Sequence, residues 1–186
     1  MTAHPVPRAG GRQSGVTLIE LMIGLILIGV LIGMAVPSFR DWIINSQVRT
    51  ATDGINDGIQ FARTEAVKRN GPVRWRMPAS NEAGWVVEAL DRSTNAWTQV
   101  QQRLTAEGTP SVVVSASQST ITFLGNGFVS PIPNQPITFD VSNPNGGQCI
   151  SQAGAGQVRC LRVTVTAGGQ IRMCDPALPA TNTTGC

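Results

Sequence analysis

Glu20 is the only formal charge between Arg12 and Arg40, and it stands inside an otherwise apolar run of 21 residues, Val16–Val36. An isolated carboxylate in hydrocarbon costs roughly 2.5–3.5 kcal/mol at mid-span on insertion scales, and less near an end. A charge kept at that cost implies a partner. Cutting the chain after Gly15 would supply one, because Val16 would then carry a free ammonium. That ammonium lies four positions before Glu20, on the same helix face, or is offered by a neighbouring subunit.

Elsewhere the sequence holds little reactive chemistry. The only histidine is His4, and there is no tyrosine. No Gly-x-Ser-x-Gly elbow and no phosphate loop occurs. Asp53 and Asp57 fall one turn apart on a wet helix face. Asp91 and Asp140 are isolated and form no calcium-loop pattern. The expectation is a non-enzyme with no catalytic residues, no metal site and no cofactor.

All four cysteines, Cys149, Cys160, Cys174 and Cys186, lie near the carboxy terminus, and none is in a C-x-x-C pair. Without histidine nearby, disulfides in an oxidising compartment are preferred to a zinc site. Four cysteines allow three connectivities. Cys160 and Cys174 flank the Gly168-Gly169 turn out of direct register, so their pairing is not assumed, and the connectivity stays open.

These residues need elements to position them. The chain has 186 residues and a formal charge of +3. Without Arg8 and Arg12 the balance is 12 basic against 11 acidic groups, so bulk charge does not advertise nucleic-acid binding. Residues 1–15 are polar, basic and rich in Gly and Pro, and read as a processed leader. Residues 16–36, as a helix, rise about 31 Å, which matches a hydrocarbon core of roughly 30 Å. The arginines before this span place the leader in the cytoplasm and the rest outside. A secretory signal cleaved near Gly33-Met34-Ala35 is the rival reading. Against it stand the length of the run and the carboxylate within it.

Pro37 is expected to kink or locally open the helix. Beyond it, Val48, Ala51, Ile55, Ile59, Ala62 and Ala66 recur at steps of three and four, a helical stripe. Residues 37–70 therefore form an amphipathic second half, stopped at Asn70-Gly71-Pro72. Residues 71–186 form a β-rich head. Candidate strands are 73–77, 84–90, 98–104, 111–115, 120–124, 137–141, 161–166 and 170–173, bounded by Gly, Pro, Asn and Ser. Antiparallel sheets packed on the helix make an α+β fold. Trp75, Trp85 and Trp97 are assigned to packing.

The motif Gly15-Val16-Thr17-Leu18-Ile19-Glu20-Leu21 resembles that of the type IV pilin superfamily, with Val16 in place of the usual Phe. Phe61–Asn70, Gly84-Trp85-Val86-Val87, Ile121-Thr122-Phe123 with Gly127, and Cys160–Cys174 resemble the GspH/FimT-type minor pilins and pseudopilins. The resemblance implies cleavage after Gly15 by a prepilin peptidase and N-methylation of Val16. It implies assembly through Glu20 and Pro37 at an inner-membrane platform, with other pilin subunits as partners. The expected location is the bacterial inner membrane, single-pass with a periplasmic head, and then a filament. The implied function is a structural minor pilin of a type IV pilus, priming or tip-proximal. One alternative is a GspH-type minor pseudopilin of type II secretion. Another is DNA uptake through Arg159, Arg162 and Arg172. The branch's Gly-Arg-x-Arg patch reads here Gly169-Gln170-Ile171-Arg172, without its first arginine, and the three arginines are read first as solvated strand residues.

Overall fold

The computed structural model describes residues 15–79, 81–105, 107–151, 154 and 156–186, and only the backbone of 34–38. Apart from Gly15, the expected leader lies outside the described residues. The chain divides into two units, Met1–Phe39 and Arg40–Cys186. One helix, α1 (Leu18–Arg69), contributes to both.

In the first unit α1 begins with a cap. The Thr17 hydroxyl accepts the Glu20 N–H at 3.3 Å, and the Thr17 carbonyl accepts the Leu21 N–H at 3.2 Å. A threonine here satisfies a donor that the first turn would otherwise leave bare. The large apolar side chains that follow are exposed on every side, from Leu18 at 79% to Ile32 at 58%. The helical backbone runs through Pro37, so the helix does not stop there. A proline removes one intrahelical hydrogen bond, and the helix-forming residues on both sides supply the others.

In the second unit the predicted stripe is the buried face. Val48, Ala51, Ile55, Ile59, Ala62 and Ala66 are each no more than 1% exposed. α1 stops where Asn70 turns to a φ of 47° and the Gly71 N–H reaches back to the Ala66 carbonyl at 3.1 Å. That closure satisfies last-turn carbonyls in the manner of a Schellman cap.

Ten strands follow: β1 (Val73–Arg76), β2 (Asn81–Glu82), β3 (Trp85–Asp91), β4 (Ala96–Arg103), β5 (Val113–Ala116), β6 (Thr120–Phe123), β7 (Val129–Ser130), β8 (Ile137–Ser142), β9 (Leu161–Val165) and β10 (Ile171–Cys174). They form two five-stranded sheets, in the orders β4-β3-β1-β6-β7 and β10-β9-β8-β5-β2. Every pairing within them is antiparallel. Alternation along each strand decides which side chains enter the core. Thus Val73, Trp75, Ile121 and Phe123 point inward from the first sheet, and Ile137, Phe139, Val141, Val163 and Val165 from the second. Trp75 meets Phe139 edge-on, with ring centroids 5.1 Å apart, and so joins the two sheets.

The helix accepts this layer through a glycine. A Cβ on Gly58 would lie 2.5 Å from the Trp85 ring and 2.9 Å from Trp75 Nε1. Only glycine leaves room for both indoles. The predicted strands are all present, with ends shifted by one or two residues. The two-residue strands β2 and β7 were not expected, because a pair of residues is too short to show alternation. The β9–β10 hairpin turns at Gly169, whose φ is +73°, as the Gly-Gly pair predicts.

Candidate functional site

Gly15, Val16 and Glu20 sit together at the start of α1. Val16 is 72% exposed, and among the described residues, chain neighbours aside, nothing comes within 4 Å of where a Gly15 Cβ would stand. Glu20 occupies the third helical position, where its backbone is capped by Thr17. A carboxylate in the first turn is favoured by the partial positive charge of the helix N-terminus. Thr17-x-x-Glu20 is a capping-box signature; the spacing was in the sequence and its capping meaning was missed. The cap defines where the helix starts, and therefore where Glu20 projects relative to the Val16 nitrogen.

A helix apolar around its whole circumference is stable only inside lipid or among other helices. Among the described residues, no helix is long and apolar enough to cross a membrane.

The three arginines considered for DNA are each engaged. Arg159 donates from Nε to Asp175 Oδ2 at 2.7 Å, and its backbone N–H donates to Asn45 on α1 at 3.0 Å. Arg162 forks onto Asp140 at 2.6 and 3.0 Å, which holds its guanidinium more firmly protonated. Arg172 donates to the carbonyls of Thr183 and Gly185 at 3.1 and 2.8 Å. Arg162 and Arg172 lie on adjacent strands, while Arg159 precedes β9. Arg159 and Arg172 fasten the carboxy-terminal loop, and Arg162 ties β9 to β8.

The cysteines pair as neighbours in sequence, Cys149–Cys160 and Cys174–Cys186. The second bridge closes the carboxy-terminal loop onto β10. There the Asp175 N–H donates to the Thr184 carbonyl and the Cys186 N–H to the Asp175 carbonyl. Closing a loop of this length stabilises by about 3 kcal/mol on the chain-entropy account.

Besides Asp175, two more buried carboxylates anchor the head. Glu65 is 6% exposed and pairs with Arg69 at 2.6 Å and Lys68 at 3.6 Å. Glu88 on β3 takes Arg74 at 2.7 Å and Arg76 at 2.9 Å, both from β1. The Arg74 guanidinium also stacks 4.3 Å from the Trp97 ring. The Arg69 hydrogen bond leads in holding Glu65 below the usual carboxylate range, against the effect of burial. The Arg76 hydrogen bond leads for Glu88, again against burial. Arg74-Trp75-Arg76 is the trace this cluster leaves in the sequence, with Trp75 turned inward and both arginines outward. Among the described residues no group of three or more His, Cys, Asp or Glu could hold a metal ion. Asp53 forms a loose 3.8 Å pair with Arg49 on the surface.

Residues 51–169 match the family model of the type II transport protein GspH. Residues 10–36 match the prokaryotic N-terminal methylation motif. A fimbrial protein of Dichelobacter nodosus is 30% identical over 113 residues, which are 60% of this chain and 67% of that protein. The type IV major fimbrial protein FimA of D. nodosus is 35% identical over 74 residues, which are 39% of this chain and 44% of FimA. The chain thus spans two thirds or less of these relatives. In three dimensions the type IV minor pilin FimU of Pseudomonas aeruginosa aligns with a TM-score of 0.53 and 17% identity, over 74% of this chain and 92% of FimU. The minor pseudopilin EpsH from the type 2 secretion system of Vibrio cholerae aligns with a TM-score of 0.52 and 13% identity, over 71% of this chain and 99% of EpsH. Both likenesses are of fold: a long amino-terminal helix on antiparallel sheets.

Proposed function

Because the chain belongs to the family of the type II transport protein GspH, a family of structural, membrane-anchored pilin-like subunits and not of enzymes, we propose that it serves as a priming or tip-proximal minor pilin of a type IV pilus. The feature that carries this reading is a single capped carboxylate, Glu20, on a helix whose apolar surface is exposed all round. On this reading the preprotein spans the inner membrane through residues 16–36, with the head, residues 71–186, in the periplasm. A prepilin peptidase cuts after Gly15 and methylates the Val16 amine. The assembly platform then draws the helix into a filament, with Pro37 in the packed segment.

Inside the bundle, Glu20 meets the Val16 ammonium of an adjacent subunit. The low dielectric strengthens that attraction, and desolvation of both ions offsets much of it. The pair therefore contributes registry more than cohesion: a subunit out of step leaves two charges unanswered. Cohesion comes from apolar packing along residues 18–36. The test is Glu20→Ala, which should insert normally into membranes and fail to enter filaments. Normal incorporation would refute the registry role.

A second reading, a minor pseudopilin of type II secretion, is favoured by the family model that residues 51–169 match. Deletion of the gene separates the two machines. Loss of surface pili with intact exoprotein release supports the first, and the reverse outcome supports the second.

A further inference from the structure

The turn 124–128, between β6 and β7, packs against the last turns of α1 at one end of the head. Two bonds close it, from the Gly127 N–H to the Leu124 carbonyl at 2.8 Å and from the Leu124 N–H to the Phe128 carbonyl at 2.9 Å. Phe123 and Val129 pair just inside it and are buried, so Leu124 and Phe128, next in the ladder, face outward. Leu124 is 37% exposed and Phe128 51%. Val67 on α1 is 52% exposed, and its side chain lies 3.5 Å from where a Gly127 Cβ would stand. Apolar side chains gathered on one turn, unlike single ones, mark a contact surface.

A cation stands beside this surface without an acid. Arg63 is exposed, and its Nε donates to the Gly127 carbonyl at 3.3 Å. It also borders the β9–β10 turn, 3.0 Å from where a Gly169 Cβ would stand. No charged side chain occurs in residues 108–139 or 163–171, which include both turns. One turn away from it on α1 stand Ile59, Gln60, Ala66 and Val67. Among the described residues, then, no carboxylate answers Arg63. Lys68 and Arg69 share one buried acid, Glu65, and a basic last turn suits the negative end of a helix dipole. Arg63 lies more than a turn before that end, so the dipole does not account for it. A guanidinium has five N–H donors, and the bond to Gly127 uses one.

We propose that this end of the head, through Leu124, Phe128, Val67 and Arg63, seats a different pilin-like subunit that offers an apolar side chain flanked by a carboxylate. Aromatic residues and arginine are enriched in such interfaces, and a carboxylate on the Arg63 fork would fix the partner's orientation. The inference rests on the priming or tip-proximal role, in which the subunit adjoins chains of another kind.

The test places a benzophenone amino acid at position 128 of the full-length chain in its native cells, where ultraviolet light captures whatever touches the turn. The expected product is an adduct with a different chain that carries its own amino-terminal methylation motif, joined at a peptide containing Asp or Glu. Arg63→Gln should lower the yield about tenfold, in line with the loss of a close interfacial charge pair. Arg63→Lys gives up the same guanidinium bond to Gly127 but keeps the charge, and should keep most of the yield. An adduct only with a second copy, with lipid or with an unrelated protein, no adduct, a yield indifferent to Arg63→Gln, or an equal loss with Arg63→Lys would each overturn the proposal. Gene deletion reads the proposed function separately. Pili lost on deletion, with no capture at position 128, would sink this inference alone. Capture of the pilin-like chain, with pili and secretion intact on deletion, would sink the proposed function alone.

Discussion

The two halves of α1 share one backbone and answer to different surroundings. In the first unit, Leu21, Leu25, Ile28 and Ile32 are all more than half exposed. In the second, Ile55 and Ile59 are covered to within 1%. The distal half has found its apolar partner within its own unit, whereas the proximal side chains from Leu18 to Ile32 are exposed. The difference lies in composition. The distal stripe is narrow, is flanked by Asp53, Asp57 and Arg63, and therefore selects one face for burial. The proximal run is apolar all round, with Glu20 as its only charge, and needs a lipid or filament environment. Folding of the head and assembly of the filament should therefore respond to different substitutions.

The largest expected separation comes from the buried ion cluster. Removing Glu88 by Glu88→Ala leaves Arg74 and Arg76 without their shared carboxylate. Breaking a buried pair in this way costs about 3–5 kcal/mol, read as a lowered urea midpoint of the head. A head as stable as wild type would mean that the cluster is idle. Next is the helix face itself. Ile59→Ala should cost about 2–5 kcal/mol in the same urea titration and leave membrane insertion unchanged. Ile28→Ala, in the exposed half, should leave head stability unchanged. If Ile28→Ala destabilised the head, the division between the halves would fail.

The disulfides come third. Cys174→Ser with Cys186→Ser should lower head stability by about 3 kcal/mol and free the loop that Arg172 holds, seen as faster amide exchange at Thr184 and Gly185. Acid comes fourth. Glu65 and Glu88 both have depressed carboxyl pKa values when folded. Their contribution is therefore complete above the unfolded value of about 4.3 and is lost as pH falls through the folded values. Urea midpoints should hold from pH 7 to 5 and fall below about 4, and Glu88→Gln should flatten that decline. The smallest effect belongs to the exposed pair Arg49–Asp53, where Asp53→Asn should change stability by less than about 0.5 kcal/mol.

The sequence carried the helix stripe and the strand alternation because both are periodic and every member is apolar. Val48, Ala51, Ile55, Ile59, Ala62 and Ala66 could be read from spacing alone. The uninterrupted backbone at Pro37 could not, because a proline within a helix and a proline that breaks one look alike in a single chain. Disulfide pairing was hidden for a different reason: it depends on how the loops after β8 and β10 fold back, and no local pattern records that. Glu88 gave no sign of its importance because its partners belong to another strand. Gly58 was equally silent, since the indoles it admits lie 17 and 27 residues further along the chain. At the amino-terminal site the residues were legible from one charge in an apolar run. The cap that fixes their helical phase rests on Thr17, whose role appears only once the first turn is seen.

The central claim is that Glu20 is kept for an amine created at Val16, and the mature amino terminus tests it most directly. Mass spectrometry of the native protein purified from its membrane should find a chain that begins with N-methylated Val16. A chain that retains residues 1–15 in the assembled filament, or one that starts at Val36, would contradict the account.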